Sequence, residues 1–194
     1  MSLLKRPVTP RQKMINLMYI VLLAMVAINV SPEILDGFSL VNLSLKRTTE
    51  NADKENSELY EQFGSERQKN PTKATEWFEK AQYVRIWCDG LYEFCEDCKN
   101  EIALQTDGIG ADPNNLVHRE EVEAVNHAML APGSNRGEKL YQAISDFREK
   151  MLYVLTDSAK RKIVQNCFST EVTKPNADGK SWQECTFESM PAIA

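Results

Sequence analysis

The residues with the strongest claim to chemistry are the run Cys95-Glu-Asp-Cys98, two histidines, and a polar cluster edging an apolar stretch near the N-terminus. C-x-x-C is the spacing of a redox pair or of half a zinc site. Redox work asks for a thiolate activated at a helix N-terminus, and this run falls in mid-helix. Zinc asks for further ligands, and His118 and His127 sit in another segment with no matching C-x-x-C. Cys88, Cys95, Cys98, Cys167 and Cys185 are five, so at least one has no intramolecular partner. They read as buried thiols, with a structural disulfide left open for an oxidising compartment and its connectivity unassigned. His118-Arg-Glu-Glu121 is not H-E-x-x-H, and Glu123 with His127 makes an ordinary i, i+4 surface pair. There is no P-loop, no nucleophile elbow and no Gly-rich cofactor turn. No catalytic residue, metal or cofactor is therefore assigned, and the chain is not read as an enzyme.

The elements that position the N-terminal cluster are legible in the charge pattern. Lys5, Arg6, Arg11 and Lys13 give residues 1–13 a charge of +4 with no acid. Met14 to Pro32 carry no Asp, Glu, Lys, Arg or His. With a net charge of −5, the remainder holds −9. Nineteen neutral residues at about 1.5 Å each span roughly the 30 Å hydrocarbon core. The positive-inside rule then leaves residues 1–13 as a cytoplasmic arm, 14–32 as a single transmembrane helix, and 33–194 as a translocated, periplasmic domain. A cleaved signal peptide is the competing reading, but Asn16 and Tyr19 interrupt its early core and no clean A-x-A site precedes a polar start. No basic patch remains outside the arm, which disfavours nucleic acid.

Within hydrocarbon, polar groups are expensive and tend to be functional. Gln12, Asn16 and Tyr19 fall within about 60° on a helical wheel, and Ala24, Ala27 and Ser31 form a small-residue stripe suited to close helix packing. The alternative is that Asn16 and Tyr19 only mark the headgroup interface. A proton path needs a titratable relay, and residues 14–32 contain none. Any membrane carboxylate must come from a partner helix, to which Arg11 or Lys13 at the cytoplasmic edge offers a fixed counter-charge.

After the neutral stretch, Ile34, Phe38, Val41, Leu45, Thr48 and Ala52 recur in steps of four and three, a heptad-like seam. It packs either inside its own domain or against a second helix leaving the membrane beside it. Asn70-Pro71 ends the region. A second long helix is expected from Lys73 to about Gln105, a turn-rich loop over Thr106–Asn115, and a third helix over Leu116–Leu130. A fourth follows around Leu140–Leu155 and a fifth over Ala159–Phe168, with Trp182–Phe187 as a hairpin arm or loop. The fold class is all-α, one transmembrane helix followed by an antiparallel helical bundle.

The block Pro10-Arg11-Gln12-Lys13-Met14-Ile15-Asn16-Leu17-Met18-Tyr19, followed by an apolar helix and Ser31-Pro32-Glu33-Ile34-Leu35, resembles the start of the GldM/PorM family. The resemblance continues through a helical first periplasmic domain and covers nearly the whole chain. It implies a homodimeric inner-membrane subunit of type IX secretion and gliding motility. It also implies a GldL/PorL-type ring as partner, driven by the proton-motive force, with Arg11 pairing with a membrane-embedded Glu of that partner. Further periplasmic domains, beyond the end of this sequence, would reach an outer-membrane-associated ring. A passive membrane-anchored scaffold, or a periplasmic helical binding domain with a cleaved signal, are the other functions to separate from this one.

Overall fold

The computed structural model describes residues 9–28, 31–172 and 179–194, with the side chains of residues 24–28 outside that description. Its elements are α1 (Pro10–Ile28), α2 (Pro32–Lys69), α3 (Pro71–Asp107), α4 (Glu123–Leu130), α5 (Arg136–Val154), α6 (Ser158–Cys167) and α7 (Trp182–Phe187). No strand occurs among the described residues, in keeping with the all-α expectation.

Helices α2 and α3, of 38 and 37 residues, form an antiparallel hairpin about 55 Å long. Each begins with proline at its first turn, where the missing N–H has no intrahelical partner to lose. Glu33 in the first turn of α2 and Arg67 and Lys69 in its last complement the helix dipole. Asn70, extended at φ −133°, makes the reversal. Near this tip the rings of Phe63 and Phe78 meet edge to face at 5.6 Å, and the Tyr60 hydroxyl donates to the Ala81 carbonyl at 2.9 Å.

The core lies at the other end of the hairpin. Cys98, Val125, Ala128, Met129 and Phe187 are buried together, with Phe94, Ile102, Leu140 and Trp182 closing around them. Arg136 opens α5 and reaches α3 with both guanidinium arms, to Asp97 at 2.5 Å and Glu101 at 3.2 Å. The C-terminal residues return to the same end, where the Ala192 and Ile193 N–H groups donate to the Glu121 and Arg119 carbonyls at 2.9 and 3.2 Å.

Three sequence expectations change. The helix expected over Leu116–Leu130 begins only at Glu123, because the Asp107 carboxylate takes the Val117 and His118 N–H groups and holds that stretch in turns. Trp182–Phe187 is a short helix rather than a hairpin arm or loop, started by a reciprocal box in which Ser181 and Glu184 cap one another. The α2 seam does not pack inside the domain: Ile34, Phe38, Val41 and Leu45 are all exposed, while Leu35 on an adjacent face is the buried residue. Among the described residues no helix is long and apolar enough to cross a membrane; the stretch expected to do so, 14–32, runs past Leu23, where the described side chains of α1 stop.

Candidate functional site

Helix α1 starts where Thr9 stands ahead of Pro10: the Thr9 hydroxyl oxygen accepts from the Gln12 N–H at 3.3 Å, and its carbonyl from the Lys13 N–H at 3.0 Å. One polar turn, Arg11-Gln12-Lys13, follows, with Asn16 one turn further on. The Gln12 amide donates to Asn16 Oδ1 at 3.4 Å, so these two members of the polar cluster are joined along one face. Arg11 and Tyr19 are on the same helix and exposed. From Thr9 to Leu23 every side chain is exposed, including Met14, Leu17, Met18, Ile20, Val21, Leu22 and Leu23 on all sides of the helix. Among the described residues α1 touches none of the other helices. So many exposed apolar side chains beside one narrow polar face call for a cover other than water.

The small-residue stripe is only partly placed. Ala24 and Ala27 belong to α1, but their side chains lie outside the described residues. Ser31 stands at the N-cap of α2, where its hydroxyl donates to Glu33 Oε2 at 2.6 Å and holds the Glu33 carboxyl below the usual range.

The C-x-x-C pair sits on α3 against the core. Burial pushes the Cys98 thiol up to about 11 and raises Cys95 as well, the opposite of an activated redox cysteine. The expectation of buried thiols holds for Cys98 alone: Cys95 and Cys185 are half-buried, and Cys88 and Cys167 are exposed, the latter ending α6, which buries no residue. Cys88, Cys95, Cys98 and Cys167 are free thiols. No cluster of three metal-ligating side chains occurs among the described residues. His118 is tied to α3: its Nδ1 and its N–H lie 2.8 and 3.1 Å from Asp107 Oδ1, and the Val117 N–H donates to Oδ2 at 2.6 Å. The Val117 hydrogen bond leads, and His118 adds to it, in holding the Asp107 carboxyl below its ordinary value.

Two features went unread in the sequence. An open apolar groove of about 430 Å³ lies near the hairpin tip, lined by Tyr60, Phe63, Trp77, Val84, Met151 and Leu155 among others. Lys80 lies over the exposed Trp77 ring at 4.7 Å. The 77–84 side of the groove follows from the α3 periodicity, but its α5 side depends on tertiary packing. At the base, Arg119 donates to Asp36 at 2.8 Å and to Ser39 at 3.3 Å, 83 and 80 residues away in the chain, a contact no spacing rule announces.

No curated protein matches the chain. Residues 33–194 match the family description of the GldM N-terminal domain. That match takes in everything from the first turn of α2 to the last residue, and so the helical domain described above. The chain belongs to the GldM family, and is thereby a component of the type IX secretion and gliding machinery.

Proposed function

We propose that this chain is a single-pass inner-membrane motor subunit that, with a GldL/PorL-type partner, converts proton-motive force into motion for type IX secretion and gliding. The carrying observation is α1: a helix whose apolar side chains from Met14 to Leu23 are exposed, clear of the remaining helices, with Arg11 and Lys13 in its first turn. Such a helix suits a bilayer and partner helices. The N-terminus is then cytoplasmic and residues 33–194 periplasmic. Two copies leave the membrane side by side, and the exposed Ile34, Phe38, Val41 and Leu45 seam of α2 gives their first heptads a mutual surface. The long α2–α3 hairpin, fixed at its base by the packed core, is the stiff element a motor needs. A proton crossing 100 mV releases about 2.3 kcal/mol, which a floppy link would dissipate.

Arg11 is the residue through which the chain would feel the proton cycle. A partner carboxylate that takes up and releases protons has its affinity set by a nearby fixed charge, and residues 14–32 supply no acid of their own. Arg11→Ala is expected to abolish secretion and gliding while pull-down of the GldL-like protein persists. Arg11→Lys is expected to be impaired too, because an ammonium does not reproduce a bidentate guanidinium contact. Full activity in Arg11→Ala would remove the counter-charge role, and loss of assembly would reduce Arg11 to a structural contact.

A further inference from the structure

The turn after α3 presents an isoleucine to water without a local reason. Gly108 (φ 87°, ψ −166°) and Gly110 (φ 87°) occupy backbone regions that glycine takes without strain. The Ala111 N–H donates to the Gly108 carbonyl at 3.2 Å, closing a four-residue turn with positive φ at its third position, as in a type II turn. Ile109 stands at the second position and is 99% exposed. Val117, 76% exposed, is brought back to the same end of α3 by its N–H bond to Asp107. One exposed apolar residue needs no explanation, but two fixed at one end of a domain are a surface.

That end is the base of the hairpin. Tyr60 meets Ala81 and Phe63 meets Phe78, so the antiparallel register carried down the hairpin sets Asp107 level with about residue 34 of α2. The pairs Asp107–His118 and Arg119–Asp36 give the same level independently. The 108–111 turn therefore lies at or beyond the first turn of α2. Ser31, at the start of α2, follows Ile28 by three residues, so the base lies within about 11 Å of the end of α1.

We infer that Ile109 and Val117 are seated in the periplasmic face of the bilayer, at the boundary of headgroups and acyl chains. The inference rests on the reading of residues 14–32 as a membrane span. The chemistry is apolar rather than electrostatic. The charged residues next to them in the chain are mostly acidic, Asp107, Asp112, Glu120 and Glu121, while Lys46 acts on Asp112 and the Arg119 charge is spent on Asp36. A zwitterionic lipid surface suffices, and added salt does not weaken the contact.

The test uses the full chain in phosphatidylcholine nanodiscs, with acyl chains either plain or brominated to quench nearby tryptophan. Ile109→Trp is compared with Tyr153→Trp, a 90% exposed site at the far end of α5. The native Trp77, Trp87 and Trp182 signal is subtracted. Emission added by Ile109→Trp is expected to fall by about half in brominated lipid, and that added by Tyr153→Trp to stay unchanged. Val117→Trp carries the same expectation should Ile109→Trp lose helical content. Equal emission in both lipids would overturn the inference, as would a blue shift appearing only when a membrane partner protein is reconstituted alongside. A chain that fails to enter the discs would remove the span and this inference together, whereas a chain that enters them unquenched would remove this inference alone.

Discussion

Asp107 shows how one side chain decides local structure. It ends α3 and holds two backbone N–H groups and an imidazole, which denies residues 117–122 the helix that their apolar spacing suggests. A sequence reader sees Leu116, Val117 and the later apolar positions as helical because nothing local announces a carboxylate arriving from ten residues upstream. The cysteines were legible only in part: burial raises both members of the mid-helix pair, but Cys88 and Cys167 are exposed, which apolar periodicity did not separate from the buried positions. Because the Asp107 carboxyl is held below its unfolded value, its contribution is complete above the ordinary carboxylate range. It is lost as pH falls through the lowered value. Asp107→Asn is expected to reduce the protection of the Val117 and His118 amides against hydrogen exchange at neutral pH, and acidifying the wild-type chain should reduce it too once the intrinsic slowing of exchange at low pH is divided out. Unchanged exchange in the variant would mean that the turn is held by other contacts.

At the scale of elements, sequence periodicity located α2, α3, α5 and α6 to within a few residues. Asn70-Pro71 and Gly108 punctuate the chain, and long apolar faces need a helix to align them. It failed on α7, where six residues are too few to show a period and the Ser181–Glu184 cap supplies the start. It also assigned the α2 seam no firm partner, since the face that packs inward runs through Leu35 rather than Ile34 and Phe38. Two glycines make the packing testable. A Cβ on Gly137, at the start of α5, would stand 3.0 Å from both the Met129 carbonyl oxygen and Gln183 Cβ, so α4 and α7 must give way. Gly90, mid-way along α3, would meet nothing within 4 Å. Gly137→Ala is expected to cost about 1–3 kcal/mol, and Gly90→Ala to add about 0.5–1 kcal/mol through helix propensity. Chemical denaturation of the two variants would check the contrast, and equal effects would contradict the placement of α5 against α4 and α7.

The whole molecule combines a compact base, where the core, the loop 108–122 and the C-terminal residues converge, with a hairpin projecting from it. The order of basic arm, neutral stretch and acidic body was readable because charge asymmetry is a property of composition along the chain. How the last residues return to the 119–121 segment was not, since that pairing is set by the three-dimensional path. If residues 14–32 are a retained span, intact mass of protein extracted from membranes includes residues 1–30; a mature chain starting near Ile28 would instead mark a cleaved signal. The central claim is that the domain moves because protons do. Its most direct measurement is release of cargo already accumulated in the periplasm, followed before and after a protonophore collapses the membrane potential, with co-purification of the GldL-like partner as the control. The motor account predicts that release and gliding stop at once while the complex stays whole, and undiminished release from an intact complex would contradict it.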